Sequence, residues 1–109
     1  MSQCKPIALF DRVDIKLSTC ACCKRIGLQF KNLLYAFSMA DFETFRTCIL
    51  NLKFDKQVVD FPDGQGQVVI KTCHSDIQFC FSESELKDLK TALDEASLMI
   101  EVHAALQTN

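Results

Sequence analysis

Along this chain, apolar residues first recur at every second position and then at every third or fourth, and that change of period happens twice. Val13, Ile15 and Leu17 alternate with polar residues, as do Ile26, Leu28 and Phe30, and then Leu33, Tyr35 and Phe37. Each set predicts a strand with one face buried, since side chains alternate across a sheet. Lys31-Asn32 is a tight turn between the second and third of them. At Ser38 the period lengthens. Ser38-x-x-Asp41 reads as a helix N-cap with an acidic partner three residues on, and Phe42, Phe45, Ile49 and Leu52 form one stripe of a helix behind it.

The second half repeats this grammar. Val59 and Phe61, then Val68 and Ile70, then Ile77, Phe79 and Phe81 predict three strands, with turns at Asp63-Gly64-Gln65-Gly66 and His74-Ser75-Asp76. Ser82-x-x-Glu85 caps a longer helix striped by Leu86, Leu89, Leu93, Ala96 and Ile100. An offset of 44 residues aligns 10–49 with 54–93 without a gap. Identities across it are few: Phe10/Phe54, Asp11/Asp55, Ile26/Ile70, Phe37/Phe81, Ser38/Ser82 and Thr47/Thr91. The stronger argument is that caps fall on caps and apolar positions on apolar positions. The expectation is an α+β fold made of an internally duplicated βββα unit. It has about six mostly antiparallel strands backed by two helices, in one domain over 1–109 with pseudo-repeats 10–53 and 54–106.

Composition supports a globular domain. Hydrophobic residues make up 49% of the chain, enough for a core that needs neither disulfide nor metal to form, and three glycines with two prolines are too few for a disordered chain. The net charge of −2 divides unevenly, with Lys16, Lys24, Arg25 and Lys31 in the more basic first half. Those cations are too sparse to track a phosphate backbone, so no nucleic-acid partner is expected. No apolar run approaches a membrane span or an export signal, so the expected location is the cytoplasm, with no membrane partner. There the seven cysteines would be mainly thiols.

Candidate chemistry centres on Thr19-Cys20-Ala21-Cys22-Cys23-Lys24, in the turn between two strands. Cys20 and Cys23 make a C-x-x-C pair able to aim two sulfurs at one ion, and Cys22 adds a third thiol. Tetrahedral zinc needs ligands from elsewhere, and Cys73 and His74 are the suppliers the sequence offers. By the 44-residue register, His74 matches core-facing Phe30 and Cys73 matches Gln29, so the two diverge and the expectation is no cofactor, with zinc as the alternative. A thioredoxin-like role wants the motif at a helix N-terminus, whereas this one leads into a strand. His103 reads as a half-buried imidazole near a helix end, Cys48 as a packing residue, and Cys80 as facing away from Phe79 and Phe81. The sequence has no glycine-rich phosphate loop and no nucleophile elbow, and its capping residues account for Asp41 and Glu85, so it points away from catalysis.

The run C-x-x-C, Ile26-Gly-Leu-Gln-Phe, Leu-Leu-Tyr-Ala-Phe-Ser and Asp41-Phe42 resembles a family of small uncharacterised bacterial proteins with a paired-cysteine turn, a domain of unknown function. The resemblance covers residues 18–50, implies no activity, and treats Cys20 and Cys23 as a unit; the extra Cys22 departs from the simple pair. Two functions follow as expectations. One is an interaction module or homodimer, because the outward side of the strands carries Leu34, Ala36, Val69 and Cys80 among Gln29, Lys71 and Gln78. If instead Ile7-Ala-Leu-Phe folds over that side, it becomes a second small core. The other is a metal-binding or thiol-reactive protein centred on the Cys20–Cys23 turn.

Overall fold

A computed structural model describes residues 5–72 and 74–107. The fold is α+β, with two antiparallel sheets and helices. Strands β1 (Pro6–Asp11), β2 (Ile15–Cys20), β3 (Ile26–Phe30) and β4 (Leu33–Phe37) form a four-stranded meander in chain order. Helix α1 (Met39–Leu50) and the short helix α2 (Phe54–Gln57) lead to a three-stranded sheet of β5 (Val59–Asp60), β6 (Gly66–Lys71) and β7 (Gln78–Phe81). Helix α3 (Glu83–Gln107) is the last described element and packs on α1 and on strands of both sheets.

The predicted alternation sets the inner face of the meander. Leu17 pairs with Leu28 and Leu28 with Tyr35, while Ile26 pairs with Phe37, so these rows run side by side into the core. In β1 a bulge between Ala8 and Phe10 inserts one residue, which lets the consecutive Leu9 and Phe10 both be buried. Aromatic rings join the two sheets, with Phe30 meeting Phe81 edge-on at 5.2 Å and Tyr35 5.6 Å from Phe79, while within β7 Phe79 stacks on Phe81 at 5.6 Å. Such pairs add about 0.5–1.5 kcal/mol each beyond their burial. On α3, Leu86, Leu89, Ala92, Leu93 and Ala96 are buried in one stripe, which draws the helix onto both sheets.

The starts of α1 and α3 are capped where the sequence placed the caps. The Asp41 N–H donates to Ser38 Oγ at 3.1 Å. At α3 the box is reciprocal: Glu85 N–H donates to Ser82 Oγ at 3.3 Å, and Ser82 N–H donates to Glu85 Oε1 at 2.8 Å. Phe37 and Phe81, each one residue before its capping serine, are buried.

Several expectations are corrected. The described residues hold seven strands, because residues 7–10 do not fold over the outer side of the strands but pair along β2 within β1. Val13 is not in a strand; it tips the β1–β2 turn and is 94% exposed. Strand pairing does not follow the gapless 44-residue offset. Phe37 pairs with Ile26, but Phe81 pairs with Val68 rather than Ile70. The first hairpin closes tightly, with Phe30 opposite Leu33, whereas the second spans 72–77 between Lys71 and Gln78. That longer loop is organised by Thr72, whose hydroxyl accepts from His74 N–H at 3.1 Å and donates to Ile77 O at 2.6 Å. Ile77 consequently lies outside β7 and is half exposed, and Cys48 is exposed on α1 instead of packed.

Candidate functional site

The cysteine turn begins at the last residue of β2. Cys20 is buried, at 7% exposure, while Cys22 and Cys23 are exposed. Lys24 N–H donates to Cys20 O at 2.7 Å, wrapping the segment into one helical turn, and Lys24 leaves it with φ at +59°. Its base is tied by Thr19 Oγ1 donating to Arg25 O at 3.3 Å, and Arg25 reaches across to donate to Ala36 O at 3.3 Å. Cys20 is thus the inward end of the turn, while Cys22 and Cys23 both lie at its surface.

The other proposed ligands separate. Cys73, like Cys4, lies outside the described residues. His74 is exposed in the 72–77 loop, not turned to the core as the repeat register implied, because the longer hairpin loop lifts it out of the strand. Among the described residues no three His, Cys, Asp or Glu side chains gather as a metal-holding group. His103, by contrast, is half-buried on α3, and Cys80 is exposed on the outer side of β7.

A second feature escaped sequence reasoning. An open cleft of about 970 Å³ lies between the ends of the two sheets and the start of α3. Its walls include Arg12, Lys31, Asp63, Glu85 and Asp88, over the rings of Phe10 and Phe30. Arg12 stands 5.2 Å over the Phe10 ring and the Lys31 ammonium 5.6 Å over that of Phe30, both within cation–π range. Lys31 also pairs with Glu85 across the cleft. The hydrogen bond to Glu85 and its charge raise the Lys31 pKa. For Glu85, burial pushes the carboxyl up, but hydrogen bonds from Lys31 and Ser82 together with the Lys31 charge outweigh it and hold it below the usual value. Glu85 thus serves twice, capping α3 and anchoring the β3–β4 turn. Three turns and the start of α3 meet here, and the capping box was the only local sign of any of it.

Two surfaces also stand out. On the outer face of the meander, Ala8 pairs with Ser18, Ser18 with Gly27 and Gly27 with Ala36, a row of small uncharged side chains beside Leu34, which is 72% exposed. On α3, beyond its last buried residue Ala96, Leu98, Val102 and Leu106 are exposed at 59%, 40% and 67%. Their spacing of four residues places them on one stripe. Among the described residues no helix is long and apolar enough to cross a membrane.

A family model described as a family of unknown function (DUF6686) matches residues 4–107. No curated protein and no solved structure matches the chain.

Proposed function

We propose that this chain, which belongs to the DUF6686 family of unknown function, is a non-catalytic interaction module that pairs with a second copy of itself through the C-terminal half of α3. The observation that carries the reading is the exposed stripe Leu98, Val102 and Leu106 on a helix that continues past its own core. In this stretch Met99 and Ile100 still pack on the core, so the stripe is a second apolar face of the helix, and it adds stability only where something covers it. Rows spaced by four residues are the ridges that interdigitate in the commonest class of helix packing. Set antiparallel about Val102, the stripe is complementary to itself, with Leu98 opposite Leu106 of the second copy, which is what a two-fold interface requires. Three turns of helix bury less than the ~800 Å² per partner of a standard interface, so the pairing is weak, in the micromolar range.

Sedimentation of the full chain across micromolar concentrations tests this. The expected result is a species of twice 12.3 kDa that dissociates on dilution and is absent in the folded Leu98→Glu, Val102→Glu variant. A monomer at every concentration, or a dimer that the double variant leaves intact, contradicts it.

Two further elements belong to the same reading. The cytoplasm suits a chain with seven cysteines, which a reducing compartment keeps mainly as thiols, and no nucleic-acid or membrane partner is invoked. The two strand-strand-strand-helix runs are a duplication that has since gained insertions, supported by the matched Phe37-Ser38 and Phe81-Ser82 junctions. Relatives whose halves align with each other without the long 72–77 loop would support it; relatives retaining only one half's cap would count against it.

A further inference from the structure

The four-stranded meander has two edges, and they differ. At β1, Pro6 has no N–H to offer and the bulge between Ala8 and Phe10 interrupts the ladder, both of which discourage a further strand. At β4, Leu33-Leu34-Tyr35-Ala36-Phe37 runs five residues without a charge, a proline or a bulge. Phe30 and Leu33 flank the two-residue loop Lys31-Asn32, and the pair that closes such a loop is hydrogen-bonded. Bonded and non-bonded pairs alternate along an antiparallel ladder, so Leu28–Tyr35 and Ile26–Phe37 are bonded while Gln29–Leu34 and Gly27–Ala36 are not. Leu34 and Ala36 therefore turn their N–H and C=O groups to the free edge. Of these, the Ala36 carbonyl accepts from Arg25 Nη2 at 3.3 Å.

Charge chooses the occupant. Residues 15–40 carry Lys16, Lys24, Arg25 and Lys31 and no Asp or Glu. Lys16 pairs with Asp11 and Lys31 with Glu85, whereas Lys24 and Arg25 pair with no carboxylate among the described residues. Both stand just before β3, whose first residue Ile26 lies opposite Phe37, so this uncompensated charge sits at the Phe37 end of the edge. A second copy of β4 laid antiparallel would bring the Arg25 end of one edge to the Lys31 turn of the other, and residues 24–38 hold only cations. We propose that β4 takes on an extended segment of a different protein as a fifth antiparallel strand, apolar at alternate residues and acidic at its N-terminal end. Antiparallel addition sets that N-terminal end beside Phe37, where Lys24 and Arg25 stand. A backbone N–H of the segment replaces Arg25 on the Ala36 carbonyl, and the released guanidinium takes the incoming carboxylate in a stronger, charge-assisted bond. The alternate apolar side chains lie along Leu34 and the small residues Ala36 and Gly27 of the outer face. No residue of the α3 stripe takes part.

The test uses the full chain and a fluorescent synthetic probe, acetyl-Glu-Asp-Thr-Val-Thr-Val-Thr-amide, followed by anisotropy. The expected result is saturable binding in the micromolar range, weaker by about tenfold or more when Lys-Lys replaces Glu-Asp or when the acids are moved to the C-terminal end. In a Lys24→Glu, Arg25→Glu chain the preference should reverse, with the Lys-Lys probe bound and the acidic one rejected. Wild-type protein gives a second readout that does not depend on a variant folding. Hydrogen exchange followed by NMR should show the Leu34 and Ala36 amides, open to water at the free edge, becoming protected as the acidic probe binds. No binding at millimolar probe, equal binding of the acidic and Lys-Lys probes, a preference that the charge-reversed chain keeps, or protection that misses Leu34 and Ala36 would each overturn the assignment.

Discussion

Leu93 and Leu98 lie five residues apart on α3 and separate the core from the surface that the proposed dimer uses. Leu93 is fully buried, in the stripe that α3 turns to its packing partners, whereas Leu98 is 59% exposed. Truncating a buried leucine to alanine costs about 2.7–5.0 kcal/mol, and the upper part applies where rigid elements cannot collapse into the gap. Leu93 is in that situation, held among two sheets and a second helix, so Leu93→Ala should cost about 4 kcal/mol. A domain of this size holds only about 5–15 kcal/mol in total. At about 4 °C per kcal/mol, the melting temperature should fall by about 15 °C. Leu98→Ala at the same dilute concentration should change stability by less than about 0.5 kcal/mol, because little surface is returned to water and alanine is the better helix former.

The two substitutions then differ in a second way. If α3 pairs between copies, the wild-type melting temperature rises with protein concentration, since only the folded state associates. Leu93→Ala should keep that dependence at a lower temperature, and Leu98→Ala should flatten it. Far-UV circular dichroism melts over a hundredfold range of concentration, accompanied by urea titrations, give both readings. Equal losses for the two variants in the dilute limit would mean that Leu98 is buried within the single chain, and the argument for an uncovered stripe would fall with it.

Other perturbations test the fold and its electrostatics. Ser38→Ala and Ser82→Ala should each cost about 1 kcal/mol by urea denaturation, the usual loss for a helix N-cap, with Ser82 at least as costly because its box is reciprocal. Phe45→Ala, which removes a ring lying tilted 5.0 Å from Phe37 and 5.6 Å from Phe79, should cost about 3–5 kcal/mol, and a loss no larger than those of the caps would show that α1 is not seated as described. Glu85 binds its proton less tightly folded than unfolded, so its contribution is present above about pH 4.5 and drains away as pH falls through the lower folded value; Lys31 adds stability below 10.5 that is lost above its raised folded value. Glu85→Gln should therefore flatten the acid limb of the stability–pH curve, and an unchanged limb would remove the pair's role. Gly66→Ala would set a Cβ 2.8 Å from Val58 Cγ2, and urea denaturation should show a loss of about 1–3 kcal/mol.

What the sequence by itself determined is whatever depends on neighbours a few residues apart. The alternation of Ile26, Leu28 and Phe30, the serines at 38 and 82, and the stripe from Leu86 to Ala96 are local patterns, and each became the strand, cap or buried face it predicts. The cysteine turn was visible for the same reason, since Cys20 and Cys23 are three residues apart. Only the tertiary structure decided pairings that depend on loop length and on which element covers which. It added β1 at the edge of the meander, shifted β6 against β7 by two residues, and lifted His74 out of any strand, because the 72–77 loop is longer than the turn at Lys31. It also joined Arg12, Lys31 and Asp63, from three distant turns, with Glu85 at the start of α3 in one cleft. The same holds for Leu98, Val102 and Leu106. Their spacing marks a helix stripe, but spacing cannot say whether a sheet lies over it; here the core takes the face of α3 that carries Leu93, Ala96, Met99 and Ile100, and the stripe is left to water.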